Sequence, residues 1–224
     1  MLGNLSTRSE VLTTPAQPQR RIPPGKRLLD VSLSGLGLVL SSPVWVLLAI
    51  IIKLEDGGPV FYSQERVGEG GRGFRAWKFR SMVPDAERVV GALQATENDP
   101  RVTLIGRLMR ATAMDELPQL WNIFLGDMSF VGPRALRPGE IEVLGNGAVE
   151  ALEDVPGYAA RCQVRPGLTG IAQIFAPRDI TRRHKFRYDR LYIARQSFWL
   201  DVRLIAVSFW ITFRGKWETR SNKL

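Results

Sequence analysis

The chain has 224 residues, a formal net charge of +9 at pH 7 and a hydrophobic content of 45%. This length is enough for one compact domain with a core and leaves little room for a second. The single cysteine and histidine, Cys162 and His184, exclude a disulfide framework and any zinc site made of several Cys and His ligands. The positive charge favours an anionic partner: nucleic acid, phospholipid headgroups or phosphorylated small molecules.

A polar tail, residues 1–25, precedes an apolar segment. The tail is rich in Ser, Thr, Gln and Pro and has no apolar run, so it does not resemble a secretory signal and we expect it to be flexible. Residues 28–52 contain Asp30 as their only ionisable residue, and this is long enough for a membrane-crossing helix. A buried core helix is the alternative, but small domains rarely bury so long an uncharged segment without an amphipathic period.

The middle of the apolar segment favours a bend, because Pro43 follows Ser42 there and a proline removes one helical hydrogen bond. Basic residues flank both ends of the segment, whereas a spanning helix usually has a one-sided excess. We therefore predict a re-entrant membrane helix over residues 26–53, made of two half-helices that enter and leave through one leaflet. A helix that crosses the bilayer is the alternative.

The remaining residues, 54–224, have the pattern of a globular domain. Two β-prone runs, residues 60–62 and 74–80, are separated by glycine-rich sequence and predict a β-hairpin with Lys78 and Arg80 on the same face. The glycine-rich run has no helix after it, so we interpret it as a turn rather than a nucleotide-binding loop. Helical patterns follow at residues 84–94, 103–110, 115–125, 184–195 and 198–213.

The last helical pattern, residues 198–213, contains five aromatic residues and only two charges. Tryptophan prefers the headgroup level of a bilayer, so this helix is expected at the membrane interface, with an ordinary core helix as the alternative. The predicted fold class is α/β, mainly helical with a small β-hairpin, an N-terminal membrane helix and amphipathic interfacial helices.

Adjacent carboxylates at Asp115 and Glu116 are the strongest chemical signal. Pro118 is best tolerated in the first turn of a helix, so the pair is expected at a helix N-terminus, where the dipole and free amides stabilise anions. Such a pair also suits Mg²⁺, which commonly binds one or two carboxylates together with substrate phosphates. Acids that only cap the helix are the alternative.

Two arginines, Arg134 and Arg137, follow the carboxylates in and after a Gly-Pro turn. The planar fork of arginine matches phosphate oxygens, so the combination indicates a phosphoryl-transfer site. Nine basic residues also lie between Arg161 and Arg195, where they either hold a diphosphate or anionic lipid or form a solvated basic face.

Taken together, these stretches resemble the monotopic phosphoglycosyl transferases of bacteria, the sugar transferases that begin the synthesis of capsule, O-antigen, exopolysaccharide and glycoprotein glycans. The resemblance covers residues 26–213. Its motifs are, in chain order, KRLLD at 26–30, the Ser42–Pro43 break, GPVFYSQERVG at 58–68, WKFRSM at 77–82, DELPQLWN at 115–122, GDMSFVGPR at 126–134 and RPGLTGIAQ at 165–173.

The resemblance implies an enzyme on the cytoplasmic face of the bacterial inner membrane, with its membrane helix bent at Ser42–Pro43. It further implies that Asp115 attacks the sugar-bearing phosphorus of a UDP-sugar or a similar donor and expels a nucleoside monophosphate. Polyprenol phosphate then takes the sugar phosphate from Asp115. Mg²⁺ bound by Asp115 and Glu116 is the expected cofactor, and Glu116 either assists metal binding or accepts a proton.

Positions in these motifs give a set of candidate substrate contacts. The candidates for phosphate binding are Lys78, Arg80, Arg110, Arg134 and Arg137. Two more candidates, Gln173 and Arg178, lie in a stretch expected to shape the sugar pocket, where IAQIFAPR replaces the familiar Trp-Ala-Gln-Val-Asn-Gly-Arg. This departure leaves the sugar open, and Ala135 also replaces the usual proline after Arg134.

Two other classes of protein are alternatives to such an enzyme. A non-catalytic membrane scaffold that binds anionic lipid would not depend on Asp115. A nucleic-acid-binding domain fits the charge, but the sequence has no recognisable nucleic-acid module. The expected partners are therefore a nucleotide sugar, polyprenol phosphate and membrane lipids, with no nucleic acid and with a homodimer left open.

Overall fold

The structure, a computed structural model, describes residues 24–84, 86, 99–177 and 180–214. Its helices are α1 Pro24–Asp56, α2 Leu104–Ala111, α3 Gln119–Leu125, α4 Tyr158–Arg161, α5 Ile171–Phe175, α6 Arg182–Arg195 and α7 Phe198–Phe213. The strands are β1 Phe61–Val67, β2 Gly73–Phe79, β3 Ser129–Val131, β4 Ile141–Val143, β5 Val149–Ala151 and β6 Gly167–Thr169. They form three two-stranded sheets: antiparallel β1–β2, parallel β3–β6 and antiparallel β4–β5.

Helix α1 is long and apolar enough to cross a membrane. The structure has one helix through Pro43, where the sequence predicts two half-helices. A proline leaves the carbonyl four residues earlier without its usual donor, and here the Ser42 hydroxyl donates to the Val39 carbonyl at 2.8 Å. The hydrogen bond lost at Pro43 is thus replaced from the neighbouring side chain, which lets the helix continue.

One side of α1 packs on the rest of the protein near both of its ends. Lys26, Asp30 and Ser34 are buried at four-residue intervals near its start, and Leu48 and Ile52 are buried near its end. The opposite side presents large apolar residues to the surroundings: Leu36, Val39, Leu40, Val46, Leu47 and Ile50. The two ends of α1 therefore contact a single domain.

Helix α1 packs into two apolar clusters. The larger one contains Ile123, Val131 and Tyr192 and receives the first half of α1 through Leu29, Leu33 and Leu38. The smaller one contains Leu48 and Ile52 of α1 itself, together with Phe79 and Met109. The strands β2 and β3 and the helices α2 and α3, which carry the candidate site, are thereby fixed against α1.

Most of the predicted elements are present. The β1–β2 hairpin is confirmed, as are the helices α2, α3, α6 and α7, and Thr103 caps α2 by accepting a hydrogen bond from the Gly106 amide. The sequence reading missed β3–β6 and β4–β5, because strands of three residues are too short for a visible alternation. The predicted helix at residues 84–94 and most of the predicted tail lie outside the described residues.

Candidate active site

Asp115 and Glu116 lie in a single 3₁₀ turn, Met114–Glu116, between α2 and α3. The residue before this turn, Ala113, has a φ of 55°, a left-handed conformation that is unusual for a residue with a side chain. This conformation turns the chain sharply after α2, and the two carboxylates follow directly. The sequence predicts the pair at the N-terminus of a helix, whereas in the structure it lies in this separate turn and α3 begins at Gln119 with Pro118 as its N-cap.

Lys78, on β2, contacts both carboxylates. Its ammonium nitrogen lies 2.5 Å from Glu116 Oε1 and 3.8 Å from Asp115 Oδ2. In β2 the side chains alternate between two faces, so Lys78 shares a face with the buried Ala76 and points at the 3₁₀ turn. The prediction that Lys78 belongs to the site with Asp115 and Glu116 agrees with this geometry.

The two carboxylates have opposite pKa shifts. Burial raises the pKa of Asp115 to about 6, with Glu116 adding to the effect and Lys78 and Arg110 opposing it. Burial also tends to raise the pKa of Glu116, but the charges of Lys78 and Arg134 have the larger combined effect and lower it. A proton therefore binds to Asp115 before Glu116. Pairs of acids with separated pKa values are typical of catalytic sites.

A shallow cleft opens beside Glu116. Its polar lining comes from Arg66, Lys78, Glu116, Gln119 and Arg134. The sequence reading did not nominate Arg66. The signal was present in the hairpin: the β1–β2 register pairs Gln64 with Ala76 and Arg66 with Phe74, which puts Arg66 on the face of Lys78.

The turn that carries Arg134 is fixed by close backbone packing. A Cβ on Gly132 would collide with the Arg165 carbonyl, so only glycine allows this approach. The Gly132 amide donates to the Thr169 carbonyl, and the Gly167 amide donates to the Pro133 carbonyl, both at 2.9 Å. The Arg134 carbonyl accepts from Arg161, while the Arg134 side chain is exposed and faces the cleft.

The other predicted contacts differ in their surroundings. The charge of Arg110 opposes the rise in the pKa of Asp115, and the charge of Arg137 lowers the pKa of Arg66. Gln173 donates a hydrogen bond to the Gly132 carbonyl at 3.2 Å and so stabilises the turn that carries Arg134. Arg178 lies outside the described residues.

Arg80 has a structural role where the sequence predicts a phosphate contact. It lies one residue past the end of β2, is 7% exposed and forms a two-pronged ion pair with Asp56. Its Nε atom also donates to the Pro59 carbonyl at 2.6 Å. These contacts fix the connection between α1 and β1 and occupy the guanidinium.

The carboxylates suit a magnesium ion that is completed by substrate. Within the described residues no group of three or more His, Cys, Asp and Glu side chains is placed to hold a metal. Asp115 and Glu116 supply two carboxylates, and Asp115 has no hydrogen-bond donor from the described residues. Because Mg²⁺ is commonly held by one or two carboxylates with phosphates and water, this donor set fits.

Comparison with known proteins gives a consistent result. Residues 21–215 match the family model described as bacterial sugar transferase. The chain is 40% identical over 195 residues to the UDP-glucose:undecaprenyl-phosphate glucose-1-phosphate transferase of Klebsiella pneumoniae, covering 85% of this chain and 40% of that protein. The protein of the same name from Escherichia coli is 39% identical over 196 residues, with the same coverage of 85% and 40%.

A shorter relative matches over most of its length. The exopolysaccharide production protein ExoY of Rhizobium meliloti is 36% identical over 194 residues, covering 80% of this chain and 81% of that protein. The chain thus spans about 40% of the first two relatives and most of the third.

Proposed function

Because the chain belongs to the bacterial sugar transferase family, we propose that it transfers a sugar 1-phosphate from a UDP-sugar to polyprenol phosphate. The products are a polyprenyl diphosphate sugar and UMP. The observation that carries this proposal is the buried Asp115, beside Lys78 and Glu116, at a cleft lined by Arg66 and Arg134. The names of the Klebsiella pneumoniae and Escherichia coli relatives support both the UDP-sugar donor and the polyprenol phosphate acceptor.

In the first step, an Asp115 carboxylate oxygen attacks the phosphorus that bears the sugar. A bond forms between this oxygen and phosphorus, and the bond to the bridging oxygen of the diphosphate breaks. UMP leaves with the electron pair of that bond. A carboxylate nucleophile in this way divides one difficult transfer into two easier ones.

The neighbours of Asp115 suit this step. Burial makes its carboxylate a stronger base than an exposed aspartate, and Lys78 keeps an ionised fraction at neutral pH. Lys78 and Arg134 are placed to neutralise charge on the transferred phosphoryl group. Mg²⁺ at Asp115 and Glu116 would add further neutralisation of the donor diphosphate.

In the second step, a phosphate oxygen of polyprenol phosphate attacks the phosphorus of the Asp115 adduct. The new bond gives the diphosphate product, and the bond to Asp115 breaks to regenerate the carboxylate. Glu116 keeps Lys78 in place through both steps, because their 2.5 Å contact does not involve Asp115.

The contacts of α1 support a re-entrant membrane topology, in which both ends of the helix are on the cytoplasmic side. A helix that crossed the bilayer would carry one end about 30 Å away from the domain. Here Lys26 and Asp30 at one end and Leu48 and Ile52 at the other are all buried against it. The exposed apolar side of α1 is then available to lipid, as are Trp199, Phe209 and Trp210 of α7.

The test uses the purified chain with Mg²⁺, polyprenol phosphate and a panel of nucleotide sugars. We expect UMP release with at least one UDP-sugar and a lipid product that carries a diphosphate sugar. Release of no nucleoside monophosphate from any donor would contradict the proposal and leave the non-catalytic lipid-binding scaffold as the better explanation.

A further inference from the structure

Gln119 is a buried polar residue that opens onto the cleft. It is the first residue of α3, is 5% exposed and lines the cleft together with Glu116. Its side-chain amide has no hydrogen-bond partner among the described residues. The amide of Asn122, one turn later in α3, instead accepts from the Trp77 amide and donates to the Arg75 carbonyl of β2.

The described fold makes no use of the polar atoms of Gln119. The N-cap of α3 is Pro118, and no side chain forms a capping hydrogen bond there. A buried amide without a partner is unfavourable, because folding removes its hydrogen bonds to water. A ligand in the cleft that bonds to the Gln119 amide would restore them.

The Gln119 amide differs chemically from the other polar side chains of the cleft lining. Arg66, Lys78 and Arg134 are positively charged and only donate hydrogen bonds, and the Glu116 carboxylate accepts from Lys78. The amide is neutral, and it both donates and accepts. A hydroxyl group has the same two capacities, so the amide matches a hydroxyl better than the neighbouring cations do.

The proposed transfer brings hydroxyl groups to this place. In an in-line displacement, three oxygens surround phosphorus between the attacking and the leaving oxygen. Two of them carry negative charge and suit the cations Lys78 and Arg134, and the third joins phosphorus to the sugar. The sugar therefore stays close to Asp115 during the attack, and Gln119 begins the helix that follows the turn of Asp115.

Apolar groups complete the cleft. Ala76, Met128 and Leu168 line it beside the polar side chains. Small-molecule sites typically combine apolar surface with a few placed polar groups. A sugar ring presents carbon-bound hydrogens as well as hydroxyl groups, so it fits a surface that offers both apolar contact and a neutral amide.

We propose that Gln119 is a further donor-binding residue, which hydrogen bonds to a hydroxyl group of the transferred sugar. This assignment rests on the proposed function and deepens it, because it names a residue that recognises the sugar rather than the nucleotide. It predicts that loss of the amide weakens the use of a sugar donor and leaves the binding of free UMP unchanged.

The experiment compares Gln119→Met with Gln196→Met in the full chain. Methionine is similar in length to glutamine and lacks the amide. Gln196 donates to the Tyr192 hydroxyl and is not part of the cleft lining, so it is the matched control. With a UDP-sugar that the wild type uses, kcat/KM for adduct formation should fall on the order of tenfold in Gln119→Met and stay within about twofold in Gln196→Met.

Donors that lack one hydroxyl group test the contact directly. In a series of deoxy UDP-sugars, one donor should be used on the order of tenfold less well by the wild type and almost equally well by Gln119→Met, which has already lost the hydrogen bond. Inhibition by UMP should be the same in both proteins. Equal losses in the two proteins for every deoxy donor, or weaker inhibition of Gln119→Met by UMP, would overturn the assignment.

Thermal unfolding separates the proposed role from a structural one. Since the amide has no partner in the described fold, Gln119→Met and Gln119→Leu should unfold at the wild-type midpoint or above it. A lower midpoint in both variants would assign the amide to the fold and overturn the inference. The deoxy-donor comparison is repeated with Gln119→Leu, so that one poorly packed side chain does not decide the result.

A binding measurement distinguishes this failure from failure of the proposed function. If the wild type forms no adduct with any nucleotide sugar, the proposed function fails, but calorimetry with UDP-sugars and with UDP still tests the cleft. Gln119→Met should bind a UDP-sugar on the order of tenfold more weakly than Gln196→Met and bind UDP equally well. Equal effects on both ligands, or no effect on either, would overturn the inference about Gln119.

Discussion

The Lys78 ammonium lies 2.5 Å from a carboxylate oxygen of Glu116. The nearest oxygen of the adjacent Asp115 is 3.8 Å from the same nitrogen. Lys78 thus binds mainly Glu116, whereas Asp115 is buried and has a raised pKa. Two neighbouring acids that are equivalent by composition therefore have different chemistry, and this difference can be tested.

The first prediction concerns the nucleophile. Asp115→Asn keeps the shape of the side chain and removes its charge, so we expect no sugar-phosphate adduct and loss of turnover. Glu116→Gln should retain a slow first step, because Asp115 is still present. Intact-protein mass spectrometry with donor and without lipid acceptor measures the adduct. Its appearance on another residue, or turnover by Asp115→Asn, would refute the mechanism and leave the family membership unchanged.

The second prediction concerns pH. The raised pKa of Asp115 means that its ionised fraction falls as the pH drops through about 6. Since kcat/KM reports the free enzyme, its value for adduct formation should fall about tenfold per pH unit below that point. Lys78 lowers the pKa of Asp115, so Lys78→Met should shift the profile to higher pH. A flat profile between pH 5 and 8 would show that another group is the nucleophile.

The third prediction concerns stability. A buried carboxylate with a raised pKa destabilises the folded state where it is ionised, above about pH 6. Asp115→Asn should therefore stabilise the protein by about 1 kcal/mol at pH 7.5, and the gain should disappear near pH 4. The exposed acid Asp154 provides the control, since Asp154→Asn should leave the unfolding midpoint nearly unchanged. Destabilisation by Asp115→Asn would contradict this account.

The fourth prediction concerns Arg134. Its exposed side chain faces the cleft, and the fold is fixed through its carbonyl instead. Arg134→Lys should therefore lose on the order of tenfold or more in kcat/KM, because lysine lacks the planar fork, with no loss of thermal stability. Near-normal kinetics would place Arg134 among solvated surface residues.

The fifth prediction concerns topology. In a Cys162→Ala background, cysteines placed at Ser6 and at Arg72 should both resist a membrane-impermeant maleimide in intact cells. Both should react after permeabilisation. Labelling of Ser6→Cys from outside, with Arg72→Cys protected, would show that α1 crosses the membrane.

The sequence predicted the parts of the site that depend on local pattern. Lys78, Asp115 and Glu116 are predicted from their places in the WKFRSM and DELPQLWN motifs, and the structure brings all three side chains together. Arg80 is predicted as a phosphate contact from its place in the WKFRSM motif, but β2 ends at Phe79 and the Arg80 guanidinium forms an ion pair with Asp56. Periodicity does not reveal where a strand ends or which distant acid an arginine meets.

Local sequence patterns also do not predict contacts between residues that are far apart in the chain. Asp30 was read as a lone charge in an apolar segment, and it accepts hydrogen bonds from the Ser129 hydroxyl and the Phe130 amide, both at 3.0 Å. The hairpin register puts Arg66 on the face of Lys78, but only the folded chain shows that Arg66 lines a cleft together with Arg134, which is distant in sequence. Contacts of this kind join residues that no short motif contains.

The buried start of α1 has a consequence for biogenesis. Lys26 donates to Asp201 at 2.7 Å across 175 positions of the chain, and to the Val131 carbonyl across 105. During translation the first turn of α1 leaves the ribosome long before either partner exists. The nascent chain must therefore carry Lys26 without its counter-ion until α7 is made, and a chain that ended before Asp201 would lack this buried ion pair altogether.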